Sequence, residues 1–595
     1  MDGFASIGGY GVLGDGRSVA LVAEDGSVDW WAVPALDSTP VFAALLDPCG
    51  GGRFELRPVE DEVESIRRYV PGTNVLETTY VTAAGRVRVT DSLNTGIAGL
   101  LPWNELARRI EGLEGAMQLT MRVVPGDGLG AWSPWVEQND QGPVVHAGDL
   151  TLATRCTEDI EVRVEGKLVS GLVTVAVGSR AVIAVVASYG EPLFLPDIAV
   201  IDDRIDATTA SWRQWTKRIS WAGNHRATVV RSALALKLLI ASATGSIAAA
   251  ATTSLPECIG GPKNWDYRFS WVRDAALTVD AMMTCGLQEE VHAAVAWLLR
   301  AIRDNGPAIH VMYTLAGRVP AVPRHAPVPG YRHSLPVMIG NDATAQVQLG
   351  IYGDLFGTIA AWVRDGHVLD TATGRQLADL ADDCADLWRH PDAGIWELHQ
   401  TRQYTSSKMN CWRALDRAAW LGEHGHIAGP ADRWRQEAVL VRAYVEQHCW
   451  SESRQAYTFY AGTADLDASV LLGSRFGFDR GHRMSSTADA VRRELGAGAL
   501  VYRYTGVEHE EQAFIACSYW LVEALAYTGR LAEAEALMAE LDAVASPLGL
   551  LSEMCTPGTG ELVGNVPQAL SHLALINAAF ALDDASRGDG RPHTA

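Results

Sequence analysis

HRATVVRSALALKLLIASATG, residues 225–245, marks the point where the chain changes character. Its apolar residues, among them Val230, Leu234 and Leu238, recur at the spacing of one helix face. Asn224, just ahead, is a residue type that caps helix N-termini. The same texture continues to the C-terminus. AFIACSYWLVEALAYTGRLAEAEALMAELDAVA, residues 513–545, reads as helix, stop at Gly529, helix. PQALSHLALINAAFAL, residues 567–582, is another helix. So long a helical region is too large for one bundle. Helices paired in a ring accommodate it, with long loops such as 303–340 collected at one end.

Upstream the texture is different. RSVALVAEDGSVDWW, residues 17–31, places Asp25-Gly26 between two runs rich in Val, Ala and Trp, a hairpin signal. TNVLETTYVTAAGRVRVTDSL, residues 73–93, repeats the pattern around Gly85. QLTMRVVPG (118–126), IEVRVEG (160–166) and RAVIAVVASYG (180–190) follow. Short strands at turn-sized intervals predict an antiparallel β-sandwich and not a parallel sheet. The expected division is a sandwich over 1–205, a helical linker over 206–225, a helical domain over 226–585 and a flexible tail over 586–595.

The 595 residues exceed what one ordinary core serves, so more than one structural unit is required. A formal net charge of −22 disfavours a phosphate backbone as partner and suits a neutral ligand. The start lacks a basic and apolar leader, and no uninterrupted apolar run is long enough to span a bilayer. The nine cysteines are scattered and lack CxxC spacing, the pattern of reduced thiols in a cytoplasmic protein. Self-association into a homo-oligomer is compatible with the composition.

Several motifs carry little. Gly9-Tyr10-Gly11-Val12-Leu13-Gly14 fits GxGxxG, but no strand precedes it and a hairpin follows, so it reads as a glycine-rich entry to the first strands. His424-Gly425-His426 lacks a third ligand at metal spacing. No GxSxG, P-loop or HExxH is present.

Three segments carry chemistry. GGPKNWDYRFSWVRDAALT, residues 260–278, interleaves Trp265, Tyr267, Phe269 and Trp271 with Asp266, Arg268, Arg273 and Asp274. Sugar sites need this mixture, because rings cover C–H faces while Arg and Asp bond hydroxyls. A helix N-terminus with a structural salt bridge is the alternative. The segment 392–420 sets Glu397 beside Trp396, where an indole strips water from a carboxyl and suits it to proton donation. The segment 548–579 sets Glu553 in a loop between helices. Alone, either glutamate reads as a solvated loop residue, by far the commoner fate of a glutamate.

Together these segments resemble glycoside hydrolase family 15, which includes glucoamylases, glucodextranases and bacterial trehalases. The similarity starts with residues 9–47. It continues through TTSLPE (252–257), NWDYRFSWVRDAALT (264–278), IGNDATAQVQLGIYGD (339–354) and GIWE (394–397). SKMNCWRALDRA (407–418), CSYWLVEALA (517–526) and GNVPQALSHLALINAA (564–579) complete it, in the family's order. The resemblance implies an N-terminal β-sandwich followed by an (α/α)6 toroid. It implies Glu397 as general acid, Glu553 as general base, Arg273 and Asp274 holding the terminal glucose, and Tyr267, Trp271 and Trp396 lining that subsite. The implied chemistry is inversion at an α-glucoside, with neither metal nor organic cofactor, on a small carbohydrate and not on nucleic acid or a membrane.

The leading expectation is exo-acting release of glucose from the non-reducing end of α-1,4- or α-1,6-linked oligosaccharides. A trehalase, cutting an α,α-1,1 linkage, is the alternative and uses the same residues. A repurposed member, acting on a sugar-like natural product or only binding carbohydrate, is a third, against which retention of both glutamates speaks. The run Met554-Cys555-Thr556 departs from the family pattern and is expected beside the second sugar.

Overall fold

The computed structural model describes residues 3–96 and 99–587. Among the described residues, fifteen antiparallel strands between Gly11 and Tyr189 form the N-terminal domain. The strand Asn104–Val124 organises it. Its first half pairs with Gly85–Leu93 and Arg180–Tyr189. Its second half pairs with Arg53–Pro58 and Leu168–Ala176. The strand therefore passes from one sheet to the other, and glycines permit the bend. A Cβ on Gly112 would lie 2.0 Å from the carbonyl oxygen of Ala176. Gly115 takes a φ of +61° beside Ala84. Alternating burial along Leu76–Val81 and Arg53–Phe54-Glu55-Leu56 sends Leu76, Tyr80, Phe54 and Leu56 into a common core between the sheets. The hairpins expected at Asp25-Gly26 and Gly85 are present, with Gly26 at φ +83°.

The connecting helix α1 (Ile198–Thr216) begins before position 206, where it was expected. Asp197 caps it by accepting from the Ala199 N–H at 2.8 Å. Its Ile201 and Ile205 pack on the sandwich, while Trp212 and Trp215 enter the core of the helical domain. One helix thus seals two cores.

Among the described residues, twelve helices follow. They are α2 (Arg226–Leu238), α3 (Val272–Thr284), α4 (Gln288–Asn305), α5 (Gly350–Arg364), α6 (Thr371–Leu387) and α7 (Thr405–Glu423). The rest are α8 (Ala431–His448), α9 (Leu472–Phe476), α10 (His482–Glu494), α11 (Ile515–Tyr527), α12 (Leu531–Leu541) and α13 (Ala569–Arg587). Asn224 is not the cap of α2: His225, at φ 59°, holds that position without a side-chain bond.

The odd-numbered helices from α3 to α13 touch in succession, and α13 returns to α3. They form the inner ring, and the even-numbered helices pack outside them. Burial follows from this placement. In α11 every residue from Ile515 to Ala526 is buried, whereas α12 buries only Ala534, Leu537, Met538 and Leu541, one stripe of an amphipathic helix. This is an (α/α)6 toroid. The tail expected from 586 differs at its start, since Ser586 and Arg587 still belong to α13, and 588–595 lie outside the described residues. Among the described residues no helix is long and apolar enough to cross a membrane.

Candidate active site

The pocket lies where the inner helices begin. Its lining comes from the first turn of α3, from the loops ahead of α5 and α7, and from Phe514 and Gln568 just before α11 and α13. The N-terminal ends of several helices therefore face one cavity of about 240 Å3 and favour anionic side chains there. Glu397, Glu553, Tyr267, Trp271, Arg273, Asp274 and Trp396 all line it.

The stretch 265–271 runs extended against 249–254, with Ala249 and Ala250 donating to the carbonyls of Phe269 and Tyr267. Extended backbone alternates its side chains. Trp265, Tyr267 and Trp271 reach the pocket, while Asp266 and Arg268 turn away and pair with each other at 2.9 Å. Arg268 also donates to the Ser38 carbonyl of the sandwich at 2.9 Å. Half of the interleaved polar residues thus knit the domains together and do not face the pocket.

Two aromatic rings connect the two glutamates. The Trp271 indole N–H donates to Glu397 Oε1 at 2.7 Å, and the Tyr267 hydroxyl donates to Glu553 Oε1 at 2.9 Å. The two rings meet edge to face at 5.5 Å and 89°. The indole that bonds Glu397 is therefore Trp271. Its chain neighbour Trp396 donates instead to Asp467 at 2.8 Å and packs on Phe514 and Trp520.

Glu397 sits at φ 61°, a backbone region that L-residues occupy at a cost of roughly 1–3 kcal/mol, and such strain concentrates at functional positions. Gln346 holds the loop by donating to the Glu397 carbonyl at 2.8 Å. Burial raises the Glu397 carboxyl above the usual carboxylate range, opposed by Arg273 and the Trp271 bond. Burial also raises Glu553, opposed by Arg503 and the Tyr267 bond, with Glu511 and Glu397 adding to the rise.

Glu553 Oε2 is buried without a protein partner. Gly564 makes room for this side chain, since a Cβ there would lie 2.6 Å from Glu553 Cβ. One oxygen is thus fixed and the other is free to bind a water. Arg273 bonds Asp274 at 2.9 Å and the Ile395 carbonyl at 2.8 Å, placing both residues of this pair on the pocket wall.

Met554 and Cys555 do not flank the cavity as expected. Both are buried in a short strand between Ala513–Phe514 and Leu562–Val563, because the chain after Glu553 turns into a three-stranded ribbon. Thr556 is not part of the pocket lining either. The outer wall is formed by other residues, including Asp342, His399, Lys263, Tyr504 and Glu510.

Continuous with it is an ionic cluster, buried at Glu257, Arg503 and Glu511, that sequence reasoning missed. Arg503 bonds Glu511 at 2.5 Å and Glu257 at 3.1 Å, while Lys263 reaches Glu511 at 2.5 Å and Glu510 at 2.9 Å. Glu257 and Arg503 line the cavity. Glu257 stands within TTSLPE, but nothing in that segment ties it to an arginine 246 residues away.

A pocket with paired carboxylates, an aromatic floor and an Arg–Asp grip, at the mouth of an (α/α)6 toroid behind a β-sandwich, is the plan of a glycoside hydrolase. Residues 223–580 match the family described as Glycosyl hydrolases family 15, and residues 4–160 match the one described as Trehalase-like, N-terminal. The chain belongs to glycoside hydrolase family 15. It is 34% identical to a trehalase of Mycobacterium tuberculosis, over 97% of this chain and 89% of that one. It is 30% identical to a trehalase of Thermoplasma volcanium, over 98% and 95%. A crystal structure of bacterial glucoamylase complexed with acarbose superposes with a TM-score of 0.72 at 14% identity, covering 98% of this chain and 95% of that one. That likeness is one of fold.

Proposed function

We propose that this enzyme is an inverting trehalase, hydrolysing the α,α-1,1 linkage between two glucose units. The preference for trehalose over longer α-1,4 or α-1,6 glucans is supported by similarity to the trehalases of two distant organisms across both domains. The alternative raised from sequence thus replaces the leading expectation.

The observation that carries the chemistry is the asymmetric hydrogen bonding of the two glutamates. Glu397 is the general acid: its carboxyl is raised by burial and stays protonated into the range where a free glutamate would ionise. It gives its proton to the bridging oxygen as the C1–O bond breaks. Glu553 is the general base: Tyr267 fixes Oε1, and Oε2 takes a proton from the attacking water. The water oxygen becomes O1 of one glucose, and the bridging oxygen stays with the other. Room for that water requires carboxyls roughly 6.5–9.5 Å apart. Arg273 and Asp274 hold hydroxyls of the ring being cleaved, and Tyr267 and Trp271 cover its apolar surface.

A panel of trehalose, maltose, isomaltose and maltotriose, with released glucose measured, tests the substrate. Trehalose should be cleaved with the highest kcat/KM by at least tenfold. Preference for maltotriose would return the enzyme to the exo-glucosidases.

A further inference from the structure

Beneath the pocket floor is a second, much smaller cavity of about 10 Å3, bordered by Arg273, Gln348, Asp354, Ser406 and Asn410. Arg273 and Ile395 are common to both spaces, so together they form the partition between them. Gln348 sits close to the same boundary: it donates to Gln346 at 3.2 Å, and Gln346 in turn donates to the Glu397 carbonyl at 2.8 Å.

The small cavity has a mixed lining, with Ile351 and Ile395 beside polar groups that lack partners. The Ser406 hydroxyl and Asn410 Oδ1 are buried without protein partners. Asp354, on the inner helix α5, is 4% exposed. Its nearest arginine contact is Arg413 Nη1 at 3.9 Å, beyond direct hydrogen-bond reach, and that nitrogen is itself unpartnered. Burial raises the Asp354 carboxyl to about 7, opposed by Arg413 and Arg273. Orphaned polar groups around a space the size of one water are the signature of a buried structural water, which typically makes two to four hydrogen bonds.

We propose that Asp354 is a positioning residue for glucose recognition, acting on Arg273 and Gln348 through water held in this cavity. Asp354 and its water orient the guanidinium toward Asp274 and the sugar, and keep Gln348 against Gln346, which holds the loop of the acid. Asp354 touches no substrate. The inference rests on the reading of Arg273 as a glucose-holding group but not on the linkage cleaved.

The test is glucose affinity, measured by titration calorimetry on the full chain, together with kcat and KM for trehalose. Arg273→Ala should weaken glucose binding at least tenfold. If it does not, the assignment of Arg273 fails and with it the premise. Given that loss, Asp354→Asn should weaken glucose binding about tenfold and raise KM more than it lowers kcat, with the melting temperature held. Ser406→Thr, which places a methyl in the cavity and leaves every charge intact, should do the same to a smaller degree. A folded Asp354→Asn protein with wild-type glucose affinity would overturn the proposal. Should that variant not fold, wild-type affinity in Ser406→Thr would overturn it equally.

Discussion

Asp91 in the sandwich and Glu553 in the toroid are both buried carboxylates, and they are treated differently. Arg108 grips Asp91 through Nε at 2.7 Å and Nη2 at 3.4 Å, while its Nη1 reaches the Phe54 carbonyl at 3.4 Å. Both partners are only 1% exposed, and Phe54 covers the guanidinium at 4.9 Å. Glu553 has one oxygen bonded and one left open, next to a cavity and within the field of other acids. A buried charge that is fully bonded serves the fold. One that is half bonded costs stability and is kept where a water or substrate must bind.

The largest expected effect separates the two glutamates. Glu553→Gln should lower kcat/KM on trehalose by about 10²–10⁴-fold, and equally on a glucoside with an activated leaving group, because both need a deprotonated water. Glu397→Gln should lose as much on trehalose but far less on the activated substrate, which leaves without protonation. Equal losses in all four combinations would remove the distinction between acid and base. The Glu553→Gln protein should melt no lower than wild type. An acid whose folded pKa is raised binds its proton more tightly in the native state, so its contribution falls as pH rises above about 4.3. The advantage of the amide should therefore grow with pH.

Asp91→Ala should show the opposite pattern. It strands Arg108 in the core and should destabilise the sandwich by about 3–5 kcal/mol, read by denaturant unfolding, because one partner of a buried pair is removed. Activity per folded molecule should be unchanged, as neither residue lines the active-site pocket. Loss of activity without loss of stability would break the comparison.

A smaller effect is expected in pH dependence. The proposed mechanism requires Glu553 ionised and Glu397 protonated, and burial raises both. The acid limb of kcat/KM should lie above about 4.3, where a free glutamate titrates, and the alkaline limb should be displaced upward too. An acid limb at or below that value would show that Glu553 is solvated in the free enzyme.

Much of this architecture was legible in the sequence. The hairpins at Gly26 and Gly85 and the stop at Gly529 follow from local chemistry, and local chemistry is what a linear reading sees. Six of the seven residues expected in the pocket were legible because they lie in segments that match family 15 in order, and Glu553 because its loop precedes the last of those segments; all seven line the cavity. The pocket's remaining walls were not. Arg503 and Glu257 meet only when the toroid closes. Asp266 and Arg268 were readable in principle, since an extended stretch alternates its faces, but the segment abuts a helix and its period is ambiguous. Met554 and Cys555 were misplaced because the ribbon that buries them is built from three separate pieces of chain.

The most direct test of the account is the configuration of the first glucose released, followed by proton NMR on trehalose before the products mutarotate. The proposed inversion by Glu397 and Glu553 would place the new hydroxyl on the opposite face of the cleaved ring and leave the other ring as it was. Equal amounts of α- and β-glucose should then appear at the earliest times. Exclusive appearance of α-glucose would require retention at the cleaved carbon and would contradict the roles given to both glutamates.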